Sequence, residues 1–110
     1  MNMVSTDWPQ DADGDVLRRM HSAGFDFSKP CLIDFNVDFE NWPPSEDAIQ
    51  TLELQYPSAK VYSPVSGESG HIQFQLFELL SYRLVVETQE HVSTLMAPYG
   101  GSCESWGILH

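Results

Sequence analysis

Polar and apolar positions alternate in two stretches of this chain and recur at helical spacing in three others. Residues 30–40 contain IDFNVDF, with Ile33, Phe35, Val37 and Phe39 on one side and Asp34, Asn36 and Asp38 on the other. A period of two is that of a strand buried on one face only. HIQFQLF, residues 71–77, repeats it, with Ile72, Phe74 and Leu76 against Gln73 and Gln75. Segments at residues 60–63 and 102–109 complete four predicted strands. The first helix is predicted to begin at Asp13 as N-cap, with Asp15 in the first turn, where the helix dipole favours an anion. Val16, Leu17 and Met20 form its apolar stripe, and Gly24 is placed at the C′ position. Ser45-Glu46-Asp47 opens a second helix with Ala48, Ile49, Leu52 and Tyr56 on one face, stopped by Pro57. A third helix, residues 81–98, is predicted to bury Leu84, Val85, Val92, Leu95 and Met96. Gly67, Gly70, Gly100 and Gly101 read as turn residues.

After the first helix the order is strand–helix–strand–strand–helix–strand. That is the split βαβ pattern of a ferredoxin-like α+β sandwich. It predicts a four-stranded antiparallel sheet in the order 4-1-3-2, two helices on one face, and an extra N-terminal helix. The domain organisation that follows is a flexible lead-in over residues 1–10 and a single domain over 11–110. Strands one and three are central, so Asp34, Asn36 and Asp38 come to lie beside Gln73 and Gln75 on the uncovered face. Central strands need no edge protection. The polar set is therefore either an ordinary solvated face or a patch that binds a partner. Glu104 and Trp106, in the last strand, belong to that patch if their side chains share the face. Trp106 is otherwise core. Gly107 after it calls for a bulge or for something approaching closely.

Charge sharpens this picture. Sixteen acidic residues against five basic ones give a net charge of −11 with histidine neutral. Nucleic-acid binding draws its non-specific affinity from phosphate neutralisation by Lys and Arg. A chain this acidic repels a polyanion and attracts a basic surface, unless its acidity serves solubility alone. The partner expected is a protein, with no direct nucleic acid. No apolar run approaches the roughly 20 residues of a membrane helix, and the N-terminus lacks a signal-peptide pattern. The expected location is the cytoplasm, and the expected state a monomer or weak homodimer, since two such faces would repel.

Catalytic and metal chemistry find little to stand on. Asp11-Ala12-Asp13-Gly14-Asp15 begins like a calcium loop, but the sixth and twelfth positions are Val16 and Ser22, where Gly and Glu are required. Asp34 and Asp38 are roughly 13 Å apart along one strand, too far for a proton-sharing pair or for glycosidase carboxylates. No nucleophile elbow, dinucleotide fingerprint or phosphate loop is present. Cys31 and Cys103 lack zinc-ligand spacing, and the predicted antiparallel pairing puts them at opposite ends of neighbouring strands, beyond the reach of a disulfide. No enzyme activity, cofactor or metal is expected.

Three segments together, DGDVLRRM (residues 13–20), GFDFSKPCLIDFNVDF (24–39) and APYGGSCESWG (97–107), resemble the bacterial family of the regulator of ribonuclease activity B, the ribonuclease E inhibitors. The resemblance spans residues 11–109, and its most specific part is Tyr99-Gly100-Gly101 with Trp106-Gly107. It implies a ferredoxin-like fold and a non-catalytic protein that binds ribonuclease E in its non-catalytic region and dampens RNA cleavage. An acidic domain meeting a basic region of a nuclease makes physical sense, because complementary charge speeds encounter and sets register. The alternative is an adaptor or immunity-type module of the same fold with a different partner. Founding members continue past Trp-Gly into a strongly acidic tail, whereas this sequence ends at His110, which leaves inhibition without a tail open.

Overall fold

A computed structural model describes residues 8–65 and 69–108. Gly67, expected in a turn, and Leu109, expected at the end of the last strand, lie outside the described residues, as do residues 1–7 of the lead-in. The elements are α1 (Ala12–Ser22), β1 (Cys31–Phe39), α2 (Glu46–Gln55), β2 (Lys60–Tyr62), β3 (His71–Glu78), α3 (Tyr82–Met96), a 3₁₀ turn (Ala97–Tyr99) and β4 (Gly101–Ile108). The four strands form one sheet in the order β2-β3-β1-β4, which is the predicted order, and every pairing is antiparallel.

The alternation in β1 and β3 works as the sequence implies. Ile33, Phe35 and Val37 of β1 and Ile72 and Phe74 of β3 are buried together, with Phe35 opposite Phe74 and their rings stacked at 5.3 Å. Tyr56, the last position of the α2 stripe, stacks on Phe74 at 4.1 Å. Each such side chain fully removed from water contributes about 1.5–3 kcal/mol. All three helices supply the other half of the core: Leu17 from α1, Ala48 and Leu52 from α2, and Val85, Val92 and Met96 from α3. The N-terminal helix is thus part of the same core.

Helix boundaries differ from expectation at two places. The N-cap of α1 is Asp11, whose Oδ1 accepts the Gly14 N–H at 2.7 Å, and Asp13 sits in the first turn instead. The end of α3 is Met96, not Pro98, because the chain tightens into the 3₁₀ turn before Gly100 adopts φ +74°, a left-handed value that suits glycine. Gly70 and Gly101 are not turn residues but buried close approaches: a Cβ would meet the Trp42 ring at 2.5 Å and the Phe39 ring at 2.8 Å. On α3, Thr88 and Gln89 are buried beside the expected apolar residues, whereas Leu84 and Leu95 are half-buried. Trp8, in the segment before α1, packs on Phe27 at 5.6 Å, and its carbonyl accepts from Arg18 Nη1 at 2.7 Å.

Candidate functional site

The core residues of the helices cluster with Ile33, Phe35, Val37, Ile72 and Phe74, and the intervening residues of β1 and β3 lie on the other face of the sheet. Because directly opposed residues of paired strands share a face, the register places Asp34 beside Gln75 and Asn36 beside Gln73. The side chains bond across the strands. Gln75 Nε2 donates to Asp34 Oδ1 at 2.6 Å, Gln73 Nε2 to Asn36 Oδ1 at 3.1 Å, and Asn36 Nδ2 onward to Ser105 Oγ of β4 at 3.1 Å. Gln73, Asn36 and Ser105 thus make a hydrogen-bonded row across three strands. Asp38 continues the face at the end of β1 and is exposed.

The outer strand adds a cation and an aromatic pair. Lys60 lies opposite Gln73, and Tyr62 lies opposite His71 with the two rings stacked at 5.2 Å. Ser58, Lys60, Tyr62, Gln73 and Gln75 line a shallow groove of about 310 Å³. Titratable groups with shifted pKa values lie away from this groove. Tyr82 and Asp11 perturb one another at the start of α1, and burial pushes the Cys103 thiol up to about 12.

Trp106 and Glu104 part company with the other expected residues. The β1–β4 register shifts between Asn36 and Val37: Asn36 pairs with Ser105 and Val37 with Cys103, so Glu104 is the extra residue of a β-bulge and is exposed. Trp106 pairs with Phe35, which faces the core. It lies on the helix side of the sheet, half-buried, and its indole N–H donates to Asp13 Oδ1 of α1 at 2.8 Å. The structure therefore brings Asp34, Asn36, Asp38, Gln73 and Gln75 onto one surface and sends Trp106 to the other side.

Sequence reasoning passed over Ser105, Lys60, Tyr62 and His71 on this face, and also Leu32 and Phe77, which oppose one another at its end. A signal for the last two was available: Leu32-Ile33 and Leu76-Phe77 each break the alternation with two adjacent apolar residues.

Both cysteines are free. Cys103 lies opposite Val37, roughly 20 Å along β1 from Cys31 at about 3.3 Å per residue. Among the described residues, no group of three or more His, Cys, Asp or Glu side chains could hold a metal ion, and no helix is long and apolar enough to cross a membrane.

Fold and face together define a small α+β protein in which one side of an antiparallel sheet is core and the other a hydrogen-bonded array of half-buried amides, the half-buried Asp34 carboxylate and a hydroxyl. Residues 10–108 match the family described as regulator of ribonuclease activity B, and the chain belongs to that family, as its three signature segments imply. Membership assigns it to the regulation of ribonuclease activity. Neither the curated proteins nor the solved structures contain a match.

Proposed function

We propose that this protein is a non-catalytic regulator that binds ribonuclease E directly, in its non-catalytic region, through the open face of a ferredoxin-like sheet. Family membership carries this reading. The net charge of −11 supports it, since a basic, RNA-binding region of a nuclease is attracted to such a surface. The cross-strand ladder supports it too: its side chains are held in place before any partner arrives, so less conformational freedom is lost on binding. Occupying a basic region of the nuclease competes with RNA for it, and regulation follows without any chemistry on the regulator. Such a protein works in the cytoplasm as a monomer or weak homodimer.

The test is calorimetric titration against the non-catalytic C-terminal half of ribonuclease E from the same organism, at low and moderate salt. Micromolar or tighter binding, weakened by salt and by Asp34→Asn with Asp38→Asn, is the expected result. Salt-sensitive binding that ignores the double substitution moves the site elsewhere on the acidic surface. No binding at either salt concentration overturns the ribonuclease E reading and leaves an adaptor of the same fold with another partner.

A further inference from the structure

Three residues on the open face are not explained by the core. Leu32 and Phe77 oppose each other across β1 and β3, on the side of Asp34 and Gln75, and are 39% and 64% exposed. Gly107 of β4 opposes Asp34. Glycine inside a strand weakens it unless a bulge, a special backbone angle or a close neighbour requires it. None of these holds at Gly107. The bulge is at Glu104, the positive-φ glycines are Gly24 and Gly100, and a Cβ built on Gly107 meets nothing within 4 Å. The missing side chain leaves Asp34 open from the β4 side. Asp34 itself is only half engaged, since Oδ1 accepts from Gln75 and Oδ2 has no partner among the described residues.

We infer that Leu32, Phe77, Asp34 and Gly107 form a compound subsite for a basic segment of a protein partner, one that carries an aromatic or apolar residue next to an arginine or lysine. This deepens the reading of the open face as the docking surface and rests on it. The cation crosses the space above Gly107 to the free oxygen of Asp34, and the apolar side chain packs on the Leu32–Phe77 pair. Charge selects this occupant. A nucleic acid strand meets Asp34 and Asp38 with like charge, and so does a second copy of this face. A purely polar cation would leave the apolar pair wet, whereas an aromatic anchor beside a cation uses both halves.

The experiment is an NMR titration of the full chain with a short peptide in which arginines flank a tryptophan, set against an oligolysine peptide of equal charge. The expected result is that shifts cluster at Leu32, Asp34, Phe77 and Gly107, and that the tryptophan peptide binds about tenfold more tightly or better. Gly107→Val fills open space with a strand-favouring residue, so it holds or raises the Tm and yet removes this binding. Phe77→Ser alters an exposed position, keeps the fold and weakens the tryptophan peptide about tenfold, to the level of oligolysine. Shifts that map elsewhere, equal affinity for the two peptides, or a Tm lowered by Gly107→Val would each overturn the inference. The same variants titrated with the ribonuclease E region separate the two readings. If that region binds wild type and both variants equally, the subsite is refuted and the function stands. If it binds none while the tryptophan peptide behaves as described, the function is refuted and the subsite stands.

Discussion

Trp106 and Asp13, 93 positions apart, are joined by one hydrogen bond of 2.8 Å from the indole Nε1 to Oδ1. The other oxygen of Asp13 accepts from Gln89 Nε2 at 3.1 Å, and Gln89 also donates to the Val85 carbonyl. One carboxylate in the first turn of α1 therefore ties that helix to both α3 and β4. Trp106→Phe removes the donor together with the pyrrole part of the indole, which packs against the core. It is expected to cost at least the roughly 1.5–3 kcal/mol of a hydrogen bond to a charged group, with the lost ring packing added to it. Urea denaturation would show this as a lower midpoint at unchanged slope. An unaltered midpoint would mean that the bond does not fasten α1.

Protonation should loosen the same end of α1 from another side. Asp11 accepts the Tyr82 hydroxyl at 2.6 Å as well as the Gly14 amide, and these two bonds, Tyr82 first, hold its pKa below the ordinary 3.8. A carboxylate whose folded-state pKa is lowered contributes stability that is present above 3.8 and lost as pH falls through the lowered value. The shared bond raises Tyr82 above 10.0, so its contribution is present below 10.0 and lost as pH rises through the raised value. Asp11→Asn should flatten both limbs, whereas Tyr82→Phe should remove the alkaline limb and leave the part of the acid limb held by the Gly14 amide, as read from urea midpoints across pH. Variants that retain the wild-type profile would show that the pair does not link to folding.

The thiols should be slow. Burial raises Cys31, and burial, followed by the charges of Asp38 and Glu104, raises Cys103 to about 12. The thiolate is the reactive form. At pH 8 the native protein is expected to resist alkylation at both sites, with half-buried Cys31 reacting before buried Cys103, and both reacting at once after denaturation. Mild oxidation should yield no intramolecular disulfide. Rapid native labelling of Cys103 would contradict its burial beneath α3.

Phe35 is fully buried and stacked on Phe74. Phe35→Ala is expected to cost about 3–5 kcal/mol, a large fraction of the roughly 5–15 kcal/mol that a domain has. Loss of a cooperative thermal transition, or a steep drop in Tm, is the readout. A near-wild-type transition would show that the core closes over the gap.

The architecture was legible where a pattern is local. The period-two runs around Phe35 and Phe74 carry their own face assignment, and Ser45 sits directly before an acidic turn, so β1, β3 and the start of α2 follow from neighbours in sequence. The start of α1 was not decided that way, because Asp11 and Asp13 both suit an N-cap. Tyr82, 71 positions away, bonds Asp11, and a contact of that kind leaves no trace in the local pattern. The face of Trp106 was hidden for a different reason. Cys103 and Trp106 are three residues apart and both lie on the core side, which strict alternation forbids. Only the extra residue at Glu104 reconciles them. Gln89 was missed because a buried amide looks like a surface residue until its partners, Asp13 and the Val85 carbonyl, are known.

The bulge at Glu104 also bears on how the protein keeps company with itself. An open sheet has two outer edges, each a row of unpaired backbone groups able to recruit a strand from another molecule. Here one edge is the three-residue β2, which carries Lys60, and the other is the eight-residue β4, interrupted midway by a bulge with a carboxylate on it. A second β4 laid alongside would lose its register at that point and bring two glutamates together. The same irregularity that turns Trp106 inward thus ends the sheet at four strands and discourages it from growing into a fibre at high concentration.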